Sequence, residues 1–358
     1  MEYTTLGKTG MSVSRYCLGA MMFGSMGNRD HDDCVRIIHK ALDSGINFID
    51  TADVYSLGES EQIVGKALKD RRDKVILATK FFAPMSKDPN MQGGSRRWIM
   101  REVEASLQRL GTDYLDLYQI HRFDETTDLE ETMSALTDLV HQGKIRSFGS
   151  SMFGVDRIVE SHWLAEKRGF LRFRCEQPSY SIFSRDIERY TLPACQRYGM
   201  GAIVWSPLDG GWLTGRYLKP ADLTERSRVV LAAKRRTGQW NPESELVARK
   251  LELANALDVL AKEASLKLAH MAIAFVLEHP GVTSAIIGPR TYEQLEDLLS
   301  CSDLRLDSAL LDRIDEIVPV GASVSGIDIT SRPAGMRTAN RRRAPKATRA
   351  SASPRADH

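Results

Sequence analysis

The sequence predicts a (β/α)8 TIM barrel, an α/β fold, on three observations. Strand-like and helix-like patterns alternate along most of the 358 residues. Their spacing implies parallel strands joined by helical crossovers. A count of about eight such units favours a closed barrel over an open, doubly wound sheet.

The elements follow in order. A short N-terminal hairpin is expected around Lys8–Gly10, and Arg15–Leu18 reads as a strand running into the turn GAMMFG. His31–Ser44 is helical, because Cys34, Ile38, Ala41 and Leu42 recur at helical spacing and Gly45 can stop the helix. Asn47–Asp50 is a short strand, Glu59–Lys69 a helix and Lys74–Lys80 (KVILATK) a buried strand. Ser95–Leu110 is a helix with Ile99, Val103, Leu107 and Leu110 on one face and Gly111 at its end. The strand Tyr114–His121 (YLDLYQIH) is followed by the helix Asp128–Gln142, whose buried stripe is Leu129, Met133, Leu136 and Val140. Ile145–Ser151 is a strand and Val155–Lys167 a helix. Phe173–Gln177, Ala202–Ser206 and Thr283–Gly288 complete the strands, with helical patterns at Arg185–Tyr198, Glu243–Ala264, Leu268–Glu278 and Tyr292–Leu299. Lys219–Asn241 is the longest irregular stretch; it is basic, and it is expected to hang over the barrel mouth as a loop.

The barrel is expected to span residues 1–330. The remaining 331–358 hold eight Arg or Lys and almost no large apolar side chain, so this basic tail is expected to be disordered. The whole chain is 42% hydrophobic and 27% charged, which is ordinary globular composition, and its net charge of +2 gives no global case for nucleic acid or membrane binding. Only the basic tail leaves a small opening for a nucleic-acid partner. Cys17, Cys34, Cys175, Cys195 and Cys301 are scattered, so neither a zinc site nor a disulfide framework is indicated. No secretory signal pattern is visible, and no stretch reaches the roughly 18 apolar residues of a membrane span. A reducing, cytoplasmic setting is therefore expected.

Four residues carry chemistry. Asp50, Lys80 and His121 close successive predicted strands, and Tyr55 lies in the loop after Asp50. Barrel strand ends share one mouth, so these groups can converge. A tyrosine is protonated at neutral pH but is a reluctant acid. A nearby ammonium group stabilises the phenolate and eases proton release. A lysine in a partly dry pocket needs a carboxylate partner, which Asp50 can supply. His121 can hydrogen-bond a carbonyl oxygen. Each residue alone has a duller role, as a helix cap, a solvated lysine or a core histidine. Together they suit reduction of an aldehyde or ketone.

The stretches LGKTGMSVSRYCLGAMMFG, NFIDTADVYSLGESEQIVGKAL, KVILATK, RLGTDYLDLYQIHRFD, GKIRSFGSSMF, EQPSYS, VWSPLDGGWLTGRY and SAIIGPRTYEQLEDLL resemble the aldo-keto reductase family. They run in family order across most of the chain, and the likeness is closest to bacterial members related to potassium-channel β subunits. The resemblance implies that Tyr55 is the general acid, tuned by Lys80 and Asp50, while His121 orients the carbonyl. It implies no metal.

No G-x-G-x-x-G or P-loop is present, so a Rossmann-type dinucleotide domain is not supported; the resemblance instead implies an extended NADPH/NADP+ lying across the mouth. Gly19 and Met21 fall where backbone lines the nicotinamide, and Trp205 where an aromatic stacks on it. Ser151 and Gln177 match the groups that hold the carboxamide. Met152 stands where Asn is frequent, which leaves one carboxamide contact open. Ser206, Leu208 and Gly210 fall in the loop over the pyrophosphate. Gly288 and Arg290 open the last barrel helix, Arg290 beside the 2′-phosphate, with Gln294 and Asp297 around the adenosine. Leu298 replaces a frequent Asn there. Phe23, Phe81, Phe82 and Trp212 are expected to line an apolar pocket for a small-molecule carbonyl substrate. Two rival readings are a nucleotide-loaded regulatory barrel with little turnover, and a Schiff-base lyase built on Lys80.

Overall fold

The computed structural model describes residues 1–237 and 240–324. Two antiparallel strands, β1 (Tyr3–Thr5) and β2 (Ser12–Ser14), form the hairpin. The barrel strands are β3 (Tyr16–Gly19), β4 (Phe48–Asp50), β5 (Ile76–Phe81), β6 (Leu115–Ile120), β7 (Ile145–Ser151), β8 (Cys175–Gln177), β9 (Gly201–Val204) and β10 (Ser284–Ile287). They pair in parallel, each with its neighbour in sequence, and β10 closes on β3. The predicted closed barrel with an N-terminal hairpin is therefore what the chain forms.

The outer helices are α1 (His31–Asp43), α2 (Glu59–Leu68), α3 (Arg96–Leu110), α4 (Leu129–His141), α5 (Val155–Arg168), α6 (Thr191–Tyr198), α7 (Arg228–Thr237), α8 (Glu245–Glu263), α9 (Leu268–Glu278), α10 (Tyr292–Leu299) and α11 (Ser308–Ile317). Polar side chains set several starts: Asp30 caps α1, Ser95 caps α3, Ser244 caps α8 and Thr291 caps α10. Gly111 ends α3 in a left-handed conformation.

Some expectations change. Lys219–Asn241 is not an irregular loop, since it contains a short 3-10 turn at Pro220–Asp222 and the helix α7. Val229 and Val230 of α7 are buried, so a pair of apolar residues in a basic stretch was enough to dock it. The helix expected at Arg185–Tyr198 is a 3-10 turn at Asp186–Glu188 followed by α6. Helix α11 was not anticipated, although Asp307 caps it and its Ile314 is buried. The proposed barrel limit at 330 and the tail 331–358 lie outside the described residues.

Two apolar layers hold the molecule together. One lies between the strands and the helices. The other fills the barrel itself: Cys17, Phe48, Ala78, Leu117, Cys175 and Ile203 pack with Leu6 and Val13 of the hairpin. The hairpin thus plugs the N-terminal end, and the C-terminal ends of the strands are left to form the mouth. Gly7 lets the plug sit close, because a Cβ there would lie 2.5 Å from the Gly201 nitrogen. Among the described residues no helix is long and apolar enough to cross a membrane.

Candidate active site

Side chains two apart on a strand face the same side. Moving two residues up from the apolar lumen layer therefore gives Gly19 above Cys17, Asp50 above Phe48, Lys80 above Ala78, Gln119 above Leu117, Gln177 above Cys175 and Trp205 above Ile203. Ser151 pairs with Gln177 across β7 and β8, so it shares this layer. A polar floor thus sits directly on an apolar plug.

Lys80 is its centre, with no solvent exposure. Its Nζ donates to Asp50 Oδ2 at 2.6 Å, to the Thr51 carbonyl at 2.9 Å and to the Tyr55 hydroxyl at 3.3 Å. Burial disfavours the ammonium charge, but Asp50 and Tyr55 outweigh it and hold Lys80 above its ordinary pKa. The other Asp50 oxygen accepts from Gln177 Nε2 at 2.8 Å and Gln119 Nε2 at 3.4 Å. Burial raises the Tyr55 phenol, and Lys80 opposes that rise. The His121 ring meets the Tyr55 ring edge-on, with centroids 5.8 Å apart and an interplanar angle of 79°. Burial, then the Lys80 and Arg122 charges, hold His121 well below the usual imidazole range, so it is neutral at neutral pH. The structure brings the four predicted residues into one cluster.

The backbone around them is strained in a consistent place. Ser56, Leu57, Phe82, Met152, Ser206 and Asp209 all have positive φ, and all follow the C-terminal ends of barrel strands. Such conformations cluster where a site must hold a fixed shape.

The residues implied for cofactor binding have mixed surroundings. Trp205 is half-buried at the end of β9, and Met21 is half-buried after β3. Ser151 spends its hydroxyl proton on the Gln177 carbonyl at 2.8 Å, and Gln177 spends its amide on Asp50. The Gln177 side-chain oxygen and the Ser151 lone pairs are what they could still offer. Gly19 has a packing reason of its own, since a Cβ would meet Ile286 Cγ2 at 2.6 Å. A Cβ at Gly210 or Gly288 would meet nothing within 4 Å, so backbone there is open to a large ligand. Ser206 and Leu208 lie between β9 and the Asp209–Thr214 turn, in that open segment. Arg290 is exposed, and its backbone nitrogen donates to Gln294 Oε1 at 2.9 Å. Asp297 pairs instead with Lys267, and with His270 at 3.3 Å. That engagement by the preceding helix was not expected of an adenosine contact.

The residues expected as substrate walls differ in burial. Phe81 is fully buried among the helices, against Tyr118 at 4.7 Å, because Lys80 takes the inward position and alternation turns Phe81 outward. Phe23 is also wholly core. Trp212 is only 7% exposed, packed beneath Lys250 Nζ at 5.5 Å and beside Tyr217. Phe82, half-buried and with φ 139°, remains at the rim.

Sequence reasoning missed Gln119, Thr51, Glu176 and Arg122. Gln119 could have been found, since it lies two residues before His121 on the same strand face. Glu176 is fully buried, accepts from Ser150 and from the Phe153 nitrogen, and is raised by burial to about 7.

The fold is an eight-stranded barrel, and the ammonium–phenol–carboxylate cluster at its mouth is arranged so that the phenol can pass a proton to a bound oxygen. The chain belongs to the aldo/keto reductase family, whose model matches residues 15–319. It is 41% identical over 332 residues to the uncharacterized oxidoreductase YrpG of Bacillus subtilis, covering 89% of this chain and 96% of that protein. It is 34% identical to a probable voltage-gated potassium channel subunit beta of Oryza sativa, covering 89% and 97%. It is 32% identical to the versiconal hemiacetal acetate reductase of Aspergillus parasiticus, covering 88% and 96%. The family makes this chain an oxidoreductase of carbonyl compounds.

Proposed function

We propose that the protein reduces an aldehyde or ketone to an alcohol with NADPH, and that Tyr55 delivers the proton. The observation that carries this reading is the position of Lys80 Nζ, shared between Asp50 Oδ2 and the Tyr55 hydroxyl. As the carbonyl oxygen gains negative charge, Tyr55 donates its proton to it. The phenolate that remains faces a cation already in place, so little reorganisation is needed. Asp50 keeps Lys80 charged and fixes its direction. Neutral His121 donates a hydrogen bond to the same oxygen without competing as an acid.

The bound nicotinamide supplies the hydride. The surroundings of the site fit such a group. Trp205 offers a half-buried ring, Ser151 and Gln177 retain acceptor capacity, and the backbone at Gly210 and Gly288 is unobstructed. The exposed guanidinium of Arg290, beside the Thr291-capped start of α10, suits a phosphate and supports NADPH over NADH.

The Schiff-base reading is weakened by the same geometry, because a lysine nucleophile must be neutral and Asp50 holds Lys80 protonated. The relatives named as channel subunits favour a second reading, a nucleotide-loaded regulatory barrel. Turnover separates the two. In a screen of aldehydes, ketones and quinones, wild type should oxidise NADPH faster than NADH. Tyr55→Phe should lose roughly 10²-fold or more in kcat, while its NADPH affinity by fluorescence titration stays within about two-fold of wild type. Full activity in that variant would defeat the acid assignment.

A further inference from the structure

Arg122 follows His121 at the end of β6, and the chemistry above gives it no contact with the substrate. Its Nη1 donates to the His121 carbonyl at 2.6 Å, which ties the guanidinium to the strand end that carries the imidazole. That imidazole in turn lies edge-on to the Tyr55 ring at 5.8 Å. Arg122 is nonetheless solvent-exposed, and among the described residues it has no ion-pair partner and no other side-chain hydrogen bond. Its charge acts on the Tyr55 phenol, the His121 imidazole and the Glu176 carboxyl, so it lies within electrostatic reach of the reacting centre.

The neighbouring charges do not cancel it. Asp50 is neutralised by Lys80, and Asp209 by Lys250 at 2.5 Å. Asp124 is turned to the Gly94 nitrogen and the hydroxyls of Thr126 and Thr127. Glu176 is enclosed and occupied by Ser150 and the Phe153 nitrogen. A planar guanidinium with free N–H groups, exposed at the strand end that carries His121, is a ready partner for a planar oxyanion.

We propose that Arg122 anchors the substrate and that this site takes aldehydes or ketones bearing a carboxylate. This rests on the carbonyl-reduction reading of the same site. A carboxylate is favoured over a phosphate because a single cation balances its one charge. Arg122 contributes binding that is equal in the ground and transition states, so its loss should raise KM more than it lowers kcat.

The test compares 4-carboxybenzaldehyde with its methyl ester, a neutral analogue of the same ring and aldehyde. Wild type should favour the acid by roughly ten-fold or more in kcat/KM, as expected for a charge-assisted contact. Arg122→Met should remove that preference through KM, leave the ester within about two-fold, and Arg122→Lys should restore part of it. Equal losses for acid and ester, or no preference in wild type, would overturn the proposal. Binding of the product-like 4-(hydroxymethyl)benzoate to the NADP+ complex, by calorimetry, gives a readout independent of turnover. If no carbonyl is reduced, the reductase reading fails by itself, and this measurement still decides the anchoring claim. Affinity about ten-fold weaker in Arg122→Met supports it, and equal affinity in the two proteins overturns it.

Discussion

Lys80 and Asp50 form an ion pair with almost no access to water, at 0% and 3% side-chain exposure. Desolvating two charges is costly, and only their mutual attraction with Thr51, Gln119 and Gln177 offsets it. Removing one partner should therefore hurt more than removing both. Lys80→Met is expected to lower stability by about 3–5 kcal/mol. The double variant with Asp50→Asn should recover part of that loss, as read from urea denaturation of the four proteins in a cycle. Additive losses would show that the pair is not coupled. Glu176 gives a second prediction. Its folded pKa of about 7 lies above the ordinary value of 4.5, so the fold favours its protonated form. Its contribution to stability is present below the unfolded value and is lost as pH rises through about 7. Thermal melts of wild type should fall between pH 5 and pH 8 by an amount on the order of 3 kcal/mol, and Glu176→Gln should flatten that fall. An unchanged slope would mean that the carboxyl titrates elsewhere.

The hairpin β1–β2 and the mouth loops divide the labour of the elements. The hairpin closes the barrel floor, where Leu6 and Val13 meet the lumen side chains. Gly7 is positioned there at φ 52°, and a Cβ would lie 2.5–2.8 Å from the backbone of residues 199–201. Gly7→Ala should cost about 1–3 kcal/mol through overpacking, yet leave kcat unchanged at a permissive temperature, because the mouth is at the other end. A lower melting temperature together with lower kcat would show that the two ends are coupled. Most elements were readable from periodicity, caps and stop signals. The exceptions have physical causes. Helix α7 hides in a basic stretch although Val229 and Val230 are buried, and α11 is amphipathic with one deeply buried residue, Ile314. Weak burial leaves a weak pattern.

At the scale of the whole molecule, the polar floor depends on strands far apart in sequence: Asp50 and Gln177 are hydrogen-bonded across 127 residues. Barrel closure, not local structure, makes that contact. Residues 331–358 hold almost no large apolar side chain. Their deletion should leave both reductase activity and melting temperature within error of the full chain, and a loss of either would show that the tail folds back onto the barrel.

The sequence alone determined the alternation of strands and helices, and it marked Asp50, Tyr55, Lys80 and His121 as strand-end groups, because periodicity and chemical type are local properties. Only the tertiary structure decided which neighbours complete that cluster. Gln119 and Glu176 became visible when the barrel closed, Phe23, Phe81 and Trp212 are buried by packing, and Arg122 has no ion-pair partner among the described residues. Burial, pairing and field at a point are sums over distant chain segments, so they are fixed by packing and not by any one stretch of residues.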